Sequence, residues 1–101
     1  MKDGLEIIMK IIISNKVYGQ IQEIFKYISQ DSLYYAKKTT KEIYEKISIL
    51  EYMPYIGRKI PEYNREDSRE IIYKSYRIMY EVLSDKKEIH IQNIQHGKRH
   101  L

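Results

Sequence analysis

Tyr76-Arg77-Ile78-Met79-Tyr80-Glu81-Val82 alternates in side-chain character at every second position, and Ile89-His90-Ile91 continues the pattern further along the chain. Successive side chains of a strand point to opposite faces of a sheet, so this alternation predicts strands at 76–83 and 88–95. The polar segment at 84–87 predicts a tight turn that joins them as an antiparallel hairpin. A further strand at 69–74 precedes them, and the three runs together predict a small sheet.

The last of these strands contains an irregularity. Ile89 and Ile91 share one face of the strand, whereas Ile94 falls on the opposite parity. One extra residue in a strand restores the parity beyond it, so we predict a bulge or bend near Gln92 and Asn93.

Two amphipathic helices are predicted in the first half of the chain. The first is capped by Ser14 or Asn15, and its apolar stripe contains Val17, Ile21, Ile24, Phe25 and Ile28. The second follows Asp31 and Ser32, and its stripe contains Leu33, Ala36, Thr40, Ile43, Ile47 and Leu50. We expect Pro54 to end it, because proline lacks a backbone N–H. Spacings of three and four residues on both stripes predict a helical hairpin.

The remaining segments complete the predicted order of elements. Residues 9–14 form a β-branched run that predicts a first strand, and 55–67 predict a connecting loop or short extended piece. The order is therefore β-α-α-β-β-β, an α+β domain with a helical hairpin packed on a small, mainly antiparallel sheet. Met9 is a plausible alternative start, so we interpret 1–8 as an N-terminal extension and 9–101 as a single domain.

Composition limits the classes of function. The chain has 101 residues and no cysteine, which excludes disulfides and cysteine-based zinc sites. It contains neither an apolar run of about 20 residues nor a secretory signal, so we predict a cytoplasmic protein without membrane contact. The net charge of +4 favours an anionic partner, although a solvated lysine-rich surface gives the same value. Eleven residues are tyrosine, which we attribute to codon usage and strand propensity in preference to a stacking role.

Metal and cofactor sites have no support in the sequence. The three histidines, His90, His96 and His100, lack a closely spaced set of carboxylates. The four glycines are isolated, so no glycine-rich phosphate loop is present. We predict neither a metal nor a small-molecule cofactor.

The strand cations are candidate binding groups. If Tyr76, Ile78 and Tyr80 face the helices, Arg77 lies on the opposite face, where it could hold a partner's carboxylate or a phosphate. An equally acceptable interpretation is an arginine that is ion-paired within the sheet. Arg69 and Glu70 are interpreted as an internal structural pair.

These features, taken in order, resemble the RelE/ParE superfamily of toxins from type II toxin–antitoxin systems, and above all its ParE-like branch. The resemblance covers Met9 to Leu101. It rests on Ala36, Ile43, Ile47, Leu50, Pro54, Gly57-Arg58, Pro61-Glu62, Arg69-Glu70, Tyr76-Arg77-Ile78, Tyr80, Val82, Ile94 and His96-Gly97-Lys98-Arg99. It implies a helical hairpin on a small antiparallel sheet. It also implies a cognate antitoxin, whose acidic amphipathic segment lies across the groove between hairpin and sheet.

The resemblance implies a toxin that inhibits DNA gyrase by binding, because the His96-Gly97-Lys98-Arg99 ending is similar to that of ParE-type chains. The residues expected to bind partners are Arg58, Arg77, Lys98 and Arg99.

The alternative is a RelE-type, ribosome-dependent mRNA endoribonuclease, with His96, Arg77 and Tyr80 as candidate catalytic residues. Convergence of Arg58, Arg77, His96 and Arg99 in one concave patch would favour the nuclease, and scatter would disfavour it. A third hypothesis is a non-toxic relative that retains only its partner-binding role.

Overall fold

Strands and helices follow one another in the predicted order in the computed structural model, which describes residues 8–97. The elements are β1 (Lys10–Ile13), α1 (Asn15–Ser29), α2 (Leu33–Ser48), a 3-10 turn (Ile49–Glu51), β2 (Arg58–Lys59), β3 (Ser68–Tyr73), β4 (Tyr76–Leu83) and β5 (Glu88–His96). The α+β class and the order β-α-α-β-β-β are confirmed. The short strand β2 lies within the segment 55–67, for which an extended piece was one of the two expectations.

All five strands belong to one sheet, in the order β1-β5-β4-β3-β2. The first strand is parallel to β5, and the other neighbouring strands are antiparallel. The predicted turn between β4 and β5 is present, with Lys86 N–H donating to the Leu83 carbonyl over 3.1 Å. The sheet therefore has two edges, β1 on one side and the two-residue β2 on the other.

The predicted bulge in β5 is confirmed. Met79 pairs with Asn93 and Tyr80 with Ile91, which leaves Gln92 without a partner position. As a result both Ile91 and Ile94 are buried. The side chain of Gln20 on α1 stabilises this region, because it accepts from the Ile94 N–H over 2.8 Å and donates to Asn93 Oδ1 over 2.8 Å. A contact across 74 positions left no signal in the sequence.

The helical hairpin packs on one face of the sheet. Ser14 caps α1 by accepting from Val17 N–H, as predicted, and Ser32 caps α2 by accepting from Tyr35 N–H. The core combines helix, turn and strand residues, with Val17, Ile21, Ile43, Ile47, Leu50, Ile78, Tyr80, Val82, Ile89, Ile91 and Ile94 all buried. Within residues 8–97, no helix has the length and apolar character required to cross a membrane.

The predicted stripe of α2 is wrong at two positions. Leu33 is 54% exposed, because it stands at the first position of α2, at the tip of the hairpin, where α1 has already ended. Thr39 is buried instead of Thr40, whose hydroxyl donates to the Ala36 carbonyl over 3.0 Å. The helix also ends at Ser48, earlier than Pro54 requires, because the chain tightens into the 3-10 turn.

Candidate functional site

An ion-paired cluster lies on the sheet face opposite the helices. Its centre is Glu70 on β3, whose side chain has no exposed surface. Glu70 accepts from the guanidinium of Arg58 on β2 over 2.6 Å and from that of Arg77 on β4 over 2.7 Å. The second guanidinium edge of Arg77 donates to both carboxylate oxygens of Glu62, over 2.9 and 3.0 Å. We call these four residues the outer cluster.

The outer cluster neutralises the cations that the sequence placed on this face. Two arginines meet two glutamates, so the face is not a free basic patch. Glu62 belongs to the β2–β3 connection, so its ion pair with Arg77 joins this connection to β4. Met79 has the parity of the outer face and is nevertheless buried, with its sulfur in contact with Asn93.

The pKa values of Glu62 and Arg77 shift as expected for paired charges. Hydrogen bonds from Arg77 lower the pKa of Glu62 to about 2, and hydrogen bonds to Glu62 and Glu70 raise the pKa of Arg77 above its usual range. Both charged forms are therefore favoured over the acidic and neutral pH range.

We expect the Glu62–Arg77 pair to make folding stability depend on pH in the acidic range. A carboxyl whose pKa falls from 4.5 to about 2 on folding stabilises the fold above pH 4.5, and this contribution is lost as pH falls to about 2. Glu62→Gln should therefore reduce the loss in unfolding free energy between about pH 5 and pH 2. Urea denaturation at both pH values measures this loss in unfolding free energy, and Glu23→Gln, on the exposed side of α1, is the control. A wild-type slope in Glu62→Gln would contradict the pairing.

Arg69 and Glu70 do not pair with each other, contrary to the prediction. Adjacent residues of a strand point to opposite faces, so Glu70 joins the outer cluster while Arg69 points to the helix side. There Arg69 pairs with Glu66, donates to the Gly57 carbonyl over 3.0 Å and lies over the Tyr55 ring at 5.1 Å.

The hydroxyl of Tyr80 joins β4 to the loop before β2. It donates to the Pro54 carbonyl over 2.8 Å and accepts from the Gly57 N–H over 3.0 Å. Tyr80 is fully buried, and this burial raises the pKa of its hydroxyl. These contacts give Tyr80 a defined structural role, the positioning of the Pro54–Gly57 loop.

Tyr80→Phe should therefore destabilise the fold without changing its shape. The substitution leaves the Gly57 N–H and the Pro54 carbonyl without this partner, at an expected cost of about 2 kcal/mol. Chemical denaturation would measure the loss. A comparable loss in Tyr63→Phe, where the ring is exposed, would show that the two hydrogen bonds are not its cause.

The candidate catalytic residues do not share one surface. His96 pairs with Tyr76 across β4 and β5, and their rings meet edge to face at 5.0 Å on the helix side. Arg77 lies on the opposite face, and Tyr80 is in the core. Lys98 and Arg99 lie outside the described residues. Within residues 8–97, no group of histidine and carboxylate side chains is arranged to hold a metal ion.

A groove lies at the β2 edge of the sheet, where the two residues of β2 pair with only part of β3. Its volume is about 310 Å³, and its lining consists of Lys46, Ile49, Ile56, Gly57, Arg58, Glu70, Ile71 and Ile72. We call it the edge groove. Ile49, Ile56 and Ile72 are each about half exposed, and Lys46 and Arg58 supply positive charge. The sequence contains a signal for this groove. Ile71 and Ile72 are adjacent in a strand, so one apolar side chain lies on each face of the sheet.

A family model described as the ParE toxin of the type II toxin–antitoxin system parDE matches residues 11–101. The chain belongs to the ParE toxin family. Its structure is similar to a chain of the chromosomal ParDE toxin–antitoxin system from P. aeruginosa, with a TM-score of 0.73 and 19% identity. The match covers 90% of this chain and 98% of that chain, and at this identity it shows a shared fold. No curated protein matches the sequence.

Membership of the ParE family agrees with the predicted branch of the RelE/ParE superfamily. The edge groove and the outer cluster are therefore features of a ParE-family toxin.

Proposed function

We propose that this ParE-family chain is a toxin that arrests growth by binding DNA gyrase, and that a cognate antitoxin neutralises it. Family membership supports the toxin role. The separation of His96, Arg77 and Tyr80 supports binding over catalysis, because an acid, a base and a phosphate-binding cation must meet at one reacting centre. The same separation weakens the endoribonuclease hypothesis.

A supercoiling assay with purified gyrase tests the proposed target. We expect the purified chain to block supercoiling and to increase the amount of cleaved DNA. Unimpeded supercoiling at high molar excess of the chain would contradict it. Codon-level cuts in translated mRNA, detected by primer extension, would instead support the nuclease.

The edge groove is the proposed antitoxin site. Its half-exposed isoleucines suit the apolar side chains of an amphipathic segment, and Lys46 and Arg58 suit its acidic ones. Arg77 also remains a proposed contact. However, its substitution would disrupt the ion pairs of the outer cluster, so a loss of affinity could not be separated from a loss of stability.

Ile56→Asp tests the groove more cleanly, because Ile56 lines the groove from the loop before β2, is 53% exposed, and its replacement should leave the fold intact. We expect at least tenfold weaker binding to the product of the adjacent reading frame, while growth arrest persists. Ile8→Asp is the matched control, since Ile8 is equally exposed and lies outside the groove. Unchanged affinity in Ile56→Asp would show that the antitoxin binds elsewhere.

A further inference from the structure

The helical tyrosines are not explained by strand propensity. Of the eleven tyrosines, three lie in β3 and β4, and five lie in α1 and α2. Tyrosine is only a moderate helix former, and its exposure on a helix does nothing for the core. The five helical tyrosines, Tyr18, Tyr27, Tyr34, Tyr35 and Tyr44, are all exposed. Neither strand propensity nor packing in the core therefore explains their number and exposure.

Two of these tyrosines lie on one stripe of α2 together with lysines. Tyr34, Lys37, Lys41 and Tyr44 recur at spacings of three, four and three, away from the buried positions of the same helix. We call them the tyrosine–lysine stripe. A shallow hollow of about 450 Å³ lies along it, lined by Tyr34, Lys37, Lys38, Lys41, Glu42 and Glu45. At the far end, burial and the neighbouring Tyr18 raise the pKa of the Tyr44 hydroxyl, so α1 contributes to this surface.

The charges around the stripe favour a protein over a nucleic acid. Lys38 pairs with Glu42 over 3.7 Å, and Lys41 pairs with Glu45 over 3.8 Å. A phosphate backbone is uniformly negative and would meet both glutamates. A folded protein surface can present acidic groups opposite Lys37, which has no ion pair with any residue from 8 to 97.

We propose that the tyrosine–lysine stripe is the surface through which this toxin binds its target protein, on a patch that carries carboxylates. Exposed tyrosines supply contact area at low cost in side-chain entropy, and tyrosine is enriched at the centres of interfaces. The stripe shares no residue with the edge groove, so target and antitoxin would bind separate surfaces. This inference rests on the proposed toxin function.

The test compares Tyr34→Ala/Lys37→Glu with wild type in cells that express the chain without its antitoxin. We expect the double variant to need at least tenfold more protein to arrest growth, with an unchanged circular dichroism spectrum and unchanged binding to the adjacent-frame product. Tyr63→Ala/Lys86→Glu, which alters an exposed tyrosine and a turn lysine elsewhere, should behave as wild type.

The other outcomes separate the inference from the proposed function. Full toxicity in the Tyr34/Lys37 variant, or toxicity lost equally in the control, would overturn the stripe while leaving the toxin function intact. A parallel loss of affinity for a fluorescent DNA duplex would overturn it in favour of nucleic-acid binding. If wild type does not arrest growth, the toxin function itself fails, and the inference fails with it.

Discussion

Gly57→Ala is expected to destabilise the chain by about 3 kcal/mol, because the site has no room for a methyl group. A Cβ at position 57 would lie 2.6 Å from the Glu70 carbonyl oxygen and 2.7 Å from the Tyr80 hydroxyl. The first contact is with the backbone of β3, which is paired on both sides and cannot move independently. Glycine is therefore required at position 57 because the backbone of β3 and the Tyr80 hydroxyl approach it closely.

The matched control is Gly19→Ala, whose expected effect has the opposite sign. A Cβ at Gly19 would meet nothing within 4 Å, and the residue lies inside α1. Alanine should stabilise this helix by about 0.5–1 kcal/mol, because it loses less backbone entropy on folding. Urea denaturation followed by circular dichroism measures both. Similar stabilities for the two variants would mean that the loop before β2 adapts to the methyl group.

The elements that could be predicted are those with local signals. The alternation in β4 gave its length, and the displaced parity of Ile94 gave the bulge, because both follow from the two-residue period of a strand. Residue type alone gave Ser14 and Asn15 as candidate caps of α1, and Ser14 is the cap. The predicted end of α2 was too late. Pro54 marks the last position that a helix can reach, whereas α2 ends at Ser48, where the chain tightens into the 3-10 turn.

The outer cluster could not be predicted, because its members come from four separate segments of the chain. Arg77 was predicted on the outer face and Arg58 in the loop before the sheet, and nothing local to either residue indicated Glu70 or Glu62 as its ion-pair partner. The burial of Glu70 is likewise invisible in the sequence, because its neighbours Arg58 and Arg77 come from two other strands. The sequence thus placed Arg77 on the outer face of the sheet, and ion pairs between distant residues determine the net charge of that face.

Removal of the carboxylate at the centre of that pairing should have the other large effect. We expect Glu70→Ala to destabilise the fold by about 3 kcal/mol, because it leaves Arg58 and Arg77 facing each other without their shared counter-ion. Arg58 can rehydrate, since 60% of its side chain is exposed, whereas Arg77 is 20% exposed. The cost should therefore arise mainly at Arg77. Equilibrium unfolding measures it, and Glu45→Ala, which removes the exposed ion pair with Lys41, is the control, with a much smaller loss expected.

Glu70→Gln distinguishes the charge from the volume of the side chain. Glutamine keeps the size of the glutamate and one acceptor oxygen, so it creates no cavity, but it brings an amide that cannot accept from the second arginine. If the charge holds the cluster together, Glu70→Gln should lose at least half as much stability as Glu70→Ala. Added salt should change this loss only slightly, because the Glu70 side chain is buried and buried charges are weakly screened. If Glu70→Gln is as stable as wild type, the alanine effect is a cavity effect, and the two arginines do not depend on a buried negative charge.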